Sequence, residues 1–277
     1  MGEEAINAID DADDAPAAPT PTSTPSNNSE NNEVVSEAAS NFSLTVSNGP
    51  RGHLARIRCV ARFPVAPETI FAVLTNADNA GVFRDVADCC SREILSEEPK
   101  GNRSQNRENS VALLRVVQVE QLGKVRLGGP GPLGREVTFR TELRVTEDAR
   151  EGPEKFSTRF ELLRSDVLST FDGTWTLETK VEEGHSEITT TVATLEQDVT
   201  PKGVPRWLKF VPLAGRAIKG ACAGAVRRMV EDLASVADAV ALEGKTLVSV
   251  LEECRRRARK GKGEKKKEEE EVVVAAG

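Results

Sequence analysis

Apolar and polar residues alternate through the middle of this chain, and this period of two constrains its fold more than any other feature. From Val86 to Val199 the alternation recurs in successive segments, separated by short polar or Gly/Pro-rich stretches. His53–Phe63 shows it too, with arginines between the apolar positions. Because successive side chains of a strand point to opposite faces, each segment predicts a half-buried antiparallel strand. Seven such strands with short turns predict a meander.

Helical spacing is confined to a few places, so the chain is predicted to be α+β. Pro67 suits the first turn of a short helix, and a second short helix is expected around Val82. Thr200–Pro205 ends the last strand, and a long helix follows, with apolar residues three and four apart. Its many Gly and Ala residues are expected to face the sheet. A further helix is expected over Lys245–Arg259.

The two ends differ in composition from the middle. Residues 1–50 hold nine acidic residues, no Lys or Arg, and much Pro, Ser, Thr and Asn. Such a segment buries too little apolar surface to offset the entropy of ordering, so a disordered acidic arm is predicted. Residues 241–277 are predicted to form a short helix and a charged disordered tail. The basic block before Glu268–Glu271 could instead be a nuclear-import signal, a nucleic-acid patch or a contact with anionic membranes. Residues 51–240 remain as the predicted folded domain.

Composition excludes several kinds of chemistry. The chain has no Tyr, two His and five Cys, and it contains no CxxC, GxSxG, HExxH or Walker motif. We therefore expect no metal, no cofactor and no disulfide framework. The apolar runs are shorter than the ~18 residues that a membrane-spanning helix needs. Without a targeting composition, the protein is expected to be intracellular, soluble and cytoplasmic, with a plastid location as the alternative.

Three motifs carry a resemblance to a known family: VAPETIFAVLTNADNAGVFRDV, FELLRSDVLSTFDGTWTLE and PKGVPRWLKFVPLAG. Together with the order of elements, they resemble the START-like, polyketide cyclase/dehydrase and lipid-transport superfamily, near its coenzyme-Q-binding START-domain branch. The family's DGTW-like turn and its VP dipeptide are matched by Asp172–Trp175 and Val204–Pro205. The resemblance implies a helix-grip fold (SRPBCC-like), a curved seven-stranded antiparallel sheet with two short helices after the first strand and a long C-terminal helix. It also implies a hydrophobic ligand between sheet and helix.

A curved sheet of this size also favours an internal hydrophobic cavity, because one helix cannot fill its concave side. The candidate ligand-binding residues are Arg115, Phe139, Thr141, Phe156, Phe160, Phe171, Trp175, Trp207 and Ile218. Arg115 stands among apolar neighbours, so it could point inward toward the polar end of a ligand, or a bulge could turn it to solvent. Trp207 could form a gate or simply anchor the helix. The alternative to a cavity is direct packing of these side chains on the helix.

These observations favour a non-catalytic protein that binds and transfers a hydrophobic small molecule such as a lipid, an isoprenoid or a quinone. We expect a monomer with transient membrane contact and no nucleic-acid partner. One alternative is a cyclase/dehydrase-like enzyme that positions an enolate with Arg115 and either Asp172 or Glu161, although both acids fall on the outward face by parity. The other is an interaction module without a ligand.

Overall fold

The fold is built on one antiparallel sheet that is covered on one side by helices. The computed structural model describes residues 35–38, 41–50, 53–99, 113–127, 135–181, 189–204 and 212–259, and nine strands lie within these ranges. They are β1 (Val35–Ala38), β2 (Phe42–Ser47), β3 (Ala55–Phe63), β4 (Val86–Pro99), β5 (Leu113–Leu127), β6 (Arg135–Asp148), β7 (Lys155–Ser165), β8 (Leu168–Val181) and β9 (Thr189–Pro201). Their order is β1-β2-β3-β9-β8-β7-β6-β5-β4.

The helices are short α1 (Pro67–Leu74), long α2 (Pro212–Ala241) and α3 (247–259). Helix α1 begins at Pro67, whose missing N–H costs nothing at a first helical position. It packs against β7, β8 and β9, while α2 packs against β1, β2 and β3. No helix in the described part of the chain combines the length and apolar character that a membrane span requires.

Strand β3 shows which face of the sheet is covered. Its alternate residues from Ala55 to Phe63 are buried, and the intervening Arg56, Arg58 and Arg62 are exposed. The buried residues share a core with β2, β8, β9, α1, α2 and α3. We call this face of the sheet the inner face. The predicted α+β architecture with an antiparallel sheet and a C-terminal helix is therefore observed.

The predicted number of seven strands is wrong, because β1 and β2 precede the first predicted strand. Both lie within residues 1–50, the segment predicted to be a disordered arm. Leu44 and Val46 are almost completely buried in the core. Apolar Phe42, Leu44 and Val46 alternate with Ser and Thr, so β2 has the same period of two as the later strands. Residues 1–34 lie outside the described residues.

The predicted domain end at residue 240 is also wrong, since α3 packs onto the core. The helix expected over Lys245–Arg259 is present, and Gly244 makes the turn before it with a φ of 63°. Its Val250 is buried, and Leu251 and Cys254 pack against the core. The charged tail beyond residue 259 lies outside the described residues.

Two local predictions differ from the structure. The second short helix is a single 3-10 turn, Asn79–Gly81, and Val82 follows it. Asp172–Trp175, matched to a turn of the family, lies inside β8.

Several small residues of α2 point away from the sheet, contrary to the prediction. Ala217, Ala221 and Ala225 are exposed, and a side chain added at Gly220 would meet no atom within 4 Å. The inward stripe instead consists of Ala223, Val226, Val230, Leu233, Val236 and Ala237. Branched side chains therefore fill most of the contact between α2 and the sheet.

Candidate functional site

One row of residues crosses the inner face from the apolar centre of the sheet to its β4 edge. In this row each residue is the register partner of the next one, from β9 to β4: Leu195, Trp175, Thr158, Glu147, Arg115 and Glu97. Leu195 and Trp175 belong to the core. The other four residues are polar or charged, so the inner face changes character between β8 and β7.

The charged part of this row is centred on Glu147, which is 3% exposed. Arg92 reaches across from β4 and donates a hydrogen bond to Glu147 Oε1. Arg115 Nη1 lies 3.8 Å from Glu147 Oε2, and its Nε donates to Glu97 Oε2 at 3.2 Å. Two arginines and two glutamates give this group, the inner charge cluster, a formal charge of zero. Burial raises the pKa of the Glu147 carboxyl, and the charges of Arg92 and Arg115 oppose that rise only in part.

Thr158 adds a buried hydroxyl beside the inner charge cluster. It is 5% exposed, and its Oγ1 has no hydrogen-bond partner among the described residues. Its register partner on β6 is Glu147. A buried polar group without a partner costs about 1–3 kcal/mol, so such groups normally have a partner. The Thr158 hydroxyl therefore keeps a hydrogen-bonding capacity that no described residue uses.

Aromatic side chains lie one register row away from these polar groups. The rings of Phe160 and Phe171 are 5.2 Å apart, and both residues are only half-buried. Phe160 lies over Gly173, where an added Cβ would be 2.6 Å from its Cζ. In the same way, Phe139 lies over Gly123. The absence of a side chain at each glycine lets an aromatic ring lie flat on the sheet.

A second buried apolar patch lies on β5 and β6. It consists of Val117, Val119 and Leu143, which are at most 7% exposed and are not part of the core cluster around α1 and α2. Val145 and Phe160, in the row between Val117 and Gly173, keep partial exposure. Within the described residues, the inner face therefore carries partly exposed apolar surface between two buried regions.

Seven of the nine predicted site residues lie on the inner face of the strands: Arg115, Phe139, Thr141, Phe156, Phe160, Phe171 and Trp175. The sequence allowed Arg115 to point inward or toward solvent, and in the structure it points inward. Ile218 is half-buried on α2, and Trp207 lies outside the described residues. The contacts of these residues with a ligand remain predictions.

Three of the seven are buried by packing or hydrogen bonding within the protein. Trp175 is 3% exposed in the core, and the ring of Phe156 packs 4.9 Å from that of Phe71 on α1. The buried Thr141 hydroxyl lies 3.3 Å from that of Ser165. Arg115, Phe139, Phe160 and Phe171 are the predicted strand residues that keep accessible surface.

Sequence reasoning missed Glu147, Thr158 and Arg92. Glu147 has the same parity as the apolar Val145 on β6, so its inward direction was available from the sequence. It also missed Lys219, which is 2% exposed and lies one helical turn before Ala223 on the inward stripe of α2.

The acids considered for an enolate-forming enzyme lie on the outer face, as their parity predicted. Asp172 pairs in register with Asp198, and its Oδ1 accepts a hydrogen bond from the Leu162 N–H at 2.9 Å. Glu161 forms an ion pair with Arg159 at 2.8 Å. Within the described ranges, no three or more His, Cys, Asp or Glu side chains are grouped to hold a metal ion.

The order of elements that the sequence resemblance implied is observed: an antiparallel sheet with a short helix after β3 and a long helix after β9. No family model and no curated protein matches the chain. Among solved structures, it is similar to a STAR-related lipid transfer protein from Xanthomonas axonopodis, with 15% identity, a TM-score of 0.44, and coverage of 74% of this chain and 98% of that one.

Two further solved structures are similar in fold. The lipid transfer and protein localization domain of human StarD13 has 11% identity and a TM-score of 0.39, over 73% of this chain and 89% of that one. The Zhui aromatase/cyclase from a Streptomyces species has 16% identity and a TM-score of 0.32, over 73% of this chain and 94% of that one. At these identities the likeness concerns the fold alone.

Proposed function

We propose that this protein binds a hydrophobic small molecule, such as a lipid, an isoprenoid or a quinone, on the inner face of its sheet, and carries it without chemical change. The observation that supports this most is the partial exposure of Phe160, Phe171 and Val145 between two buried apolar regions. An apolar guest placed there would remove its own surface and that of these side chains from water. Each Å² of apolar surface removed contributes about 25 cal/mol.

The proposal includes loading at a membrane surface by a monomer. The guest would be rejected by water and would partition between the bilayer and the inner face, so no catalytic group is required. Vesicles that contain a fluorescent isoprenoid would lose it to the protein in proportion to protein concentration. Size-exclusion chromatography with light scattering would show one copy per particle.

Native mass spectrometry of the full chain with a panel of isoprenoid, acyl and quinone probes tests the proposal. We expect one probe molecule per chain and weaker binding in Val145→Gln, which puts an amide on the apolar part of the inner face. Thr146→Gln is the matched control, because the next residue of β6 points to the outer face. Absence of binding by every probe, or equal loss in both variants, would contradict the proposal.

A second candidate function is supported by Glu147. A buried carboxyl with a raised pKa beside two arginines is an arrangement that can move a proton and stabilise an enolate. A cyclase-like activity on an aromatic polyketide analogue would then be lost in Glu147→Gln. Release of the probe panel unchanged after long incubation favours the carrier.

A further inference from the structure

We propose that a contact between the segment Asp78–Asp85 and helices α2 and α3 closes a route to the inner face, and that its opening sets how fast the guest enters and leaves. The segment lies between α1 and β4, and it includes the 3-10 turn. We call this contact the clasp. The inference rests on the proposed function, because it names how access to the same site is regulated.

The clasp joins two parts of the molecule that lie far apart along the sheet. Helix α2 packs against β1, β2 and β3, whereas Asp85 is the last residue before β4, the strand at the opposite edge. Arg228 of α2 donates a hydrogen bond to Asp85 at 2.8 Å. The Asp232 carboxylate, also on α2, accepts from the Arg84 N–H at 2.9 Å and from Arg84 Nε at 2.7 Å. These ion pairs therefore connect α2 to the β4 edge of the sheet.

Helix α3 adds a close backbone contact to the clasp. A Cβ added at Gly81 would lie 3.1 Å from the Arg255 Cα and 3.3 Å from the carbonyl carbon of Cys254. These distances are shorter than an ordinary carbon–carbon contact of about 3.5–4.0 Å, so the approach of α3 depends on the missing side chain at Gly81. Arg255 also forms an ion pair with Asp78 through its Nη2.

The forces that hold the clasp are weak. Arg228 and Asp85 are 40% and 39% exposed, and ion pairs with this exposure contribute little and are screened by salt. The Nε of Arg255 and the Oδ1 of Asn79 are buried, and neither atom has a hydrogen-bond partner among the described residues. Both atoms gain water as a partner when α3 and the turn separate, so their burial favours the open state. The clasp therefore opens at a lower cost than the apolar contacts of the core.

The clasp adjoins the aromatic part of the inner face. Val86 follows Asp85 and begins a register row that continues through Gly123 to Phe139. Phe83, within the segment, is 7% exposed and belongs to the core. Separation of the segment from α2 would therefore uncover apolar surface that continues toward the half-buried ring of Phe139. Such a surface gives an apolar guest a path between solvent and the inner face.

The rate of probe release measures this opening. Full-length protein loaded with a farnesyl probe that carries a dansyl fluorophore is mixed with excess unlabelled farnesol, and the loss of fluorescence gives the release rate. The Debye length falls from about 10 Å at 0.1 M salt to about 3 Å at 1 M, so salt weakens the ion pairs of the clasp. We therefore expect release to be about two- to fivefold faster in about 1 M than in about 0.1 M sodium chloride.

Arg228→Gln removes one ion pair of the clasp, and Arg56→Gln, which breaks the 2.8 Å pair with Asp198 on the outer face, is its matched control. We expect Arg228→Gln to release the probe about two- to fivefold faster at low salt and to respond less to added salt. Arg56→Gln should keep the wild-type rate and salt response. The equilibrium Kd should stay within about twofold in both variants, because opening speeds entry and exit alike.

Gly81→Ala tests the contact with α3 without changing a charge. Its added Cβ should push α3 away and speed release by about two- to fivefold, again with little change in Kd. Gly220→Ala is the matched control, because an added Cβ there meets no atom within 4 Å, and it should keep the wild-type rate. Gly81→Ala also keeps the test valid if Arg228→Gln does not fold.

The outcomes separate this inference from the proposed function. If the probe binds but salt, Arg228→Gln and Gly81→Ala all leave its release rate unchanged, the guest does not pass the clasp and the inference is refuted. Faster release with an equal loss of affinity also refutes it, because the variants then weaken the bound state and open no route. If the probe does not bind the wild-type protein, the proposed function itself fails together with the inference.

Discussion

Replacing Gly173 by alanine tests the packing that shapes the aromatic part of the inner face. An alanine Cβ at this position would lie 2.6 Å from Cζ of Phe160 and 2.7 Å from the backbone oxygen of Glu196. Carbon atoms in favourable contact are about 3.5–4.0 Å apart, so the contact with Cζ is about 1 Å too short, and the contact with the oxygen is also shorter than a normal van der Waals contact. The Phe160 ring can rotate away, but the Glu196 oxygen belongs to the neighbouring strand β9 and moves only with its backbone.

The magnitude follows from these two contacts. Overpacking of this kind costs about 1–3 kcal/mol, and alanine recovers about 0.5–1 kcal/mol because glycine loses more entropy on folding. We therefore expect Gly173→Ala to lower the free energy of unfolding by about 1–2 kcal/mol. For a domain of this size, that corresponds to roughly 2–8 °C in melting temperature.

The matched control is Gly123→Ala on the same face. There the three nearest atoms all belong to the Phe139 ring, at 2.4–3.0 Å, and no backbone atom is among them. Because a half-buried ring can swing toward solvent, Gly123→Ala should cost less than about 1 kcal/mol. Chemical denaturation with the fluorescence of the core Trp175 measures both variants. If Gly173→Ala is as stable as the wild type, the ring does not lie over Gly173 and the reasoning fails.

Three further predictions concern the helices and the inner charge cluster. Gly220→Ala should raise the free energy of unfolding by roughly 0.5–1 kcal/mol, since its site is helical and an added Cβ meets no atom. A lower free energy of unfolding would show that other residues pack against α2 at this position. Val250→Ala should lower the free energy of unfolding by about 2 kcal/mol, and Val248→Ala, at an exposed position, by under about 0.5 kcal/mol. Equal losses would show that α3 does not pack on the core. Because burial raises the pKa of Glu147 above its ordinary 4.5, the stabilisation from its protonation is present below pH 4.5 and is lost as the pH rises through the folded value. The free energy of unfolding relative to Glu147→Gln, from denaturation at several pH values, should therefore fall as the pH rises, and an increase would contradict the assignment.

The sequence allowed the later strands to be predicted because apolar and polar residues alternate along most of them. Strand β3 is the clearest case, with buried and exposed residues alternating from Ala55 to Phe63. Strand β2 has the same pattern, but it lies within residues 1–50, whose predicted disorder rested on their average composition. The acidic residues of that segment all precede Asn41, and averaging over them concealed the neutral alternating stretch that pairs with β3.

The face of α2 was predicted wrongly for a related reason. Small residues and branched residues both recur at helical spacing along it, and the sequence alone does not state which stripe meets the sheet. Composition favoured an inward Gly/Ala stripe that would leave space. The structure turns Val226, Val230 and Leu233 inward, because branched side chains bury more apolar surface than alanine does. The Gly/Ala residues of α2 therefore do not supply the space for the ligand that we propose.

The charged part of the site depends on geometry that no local pattern contains. Glu147 could have been assigned inward by continuing the parity of Val145, but Arg92 could not be assigned in this way. Strand β4 has register shifts around Cys90 and Leu95, and each one reverses the parity of the residues that follow. Arg92 and Glu97 consequently share the inner face although they are five residues apart. A bulge between them brings both charged groups onto the same side as Glu147, so the irregularity of the edge strand is what assembles the inner charge cluster.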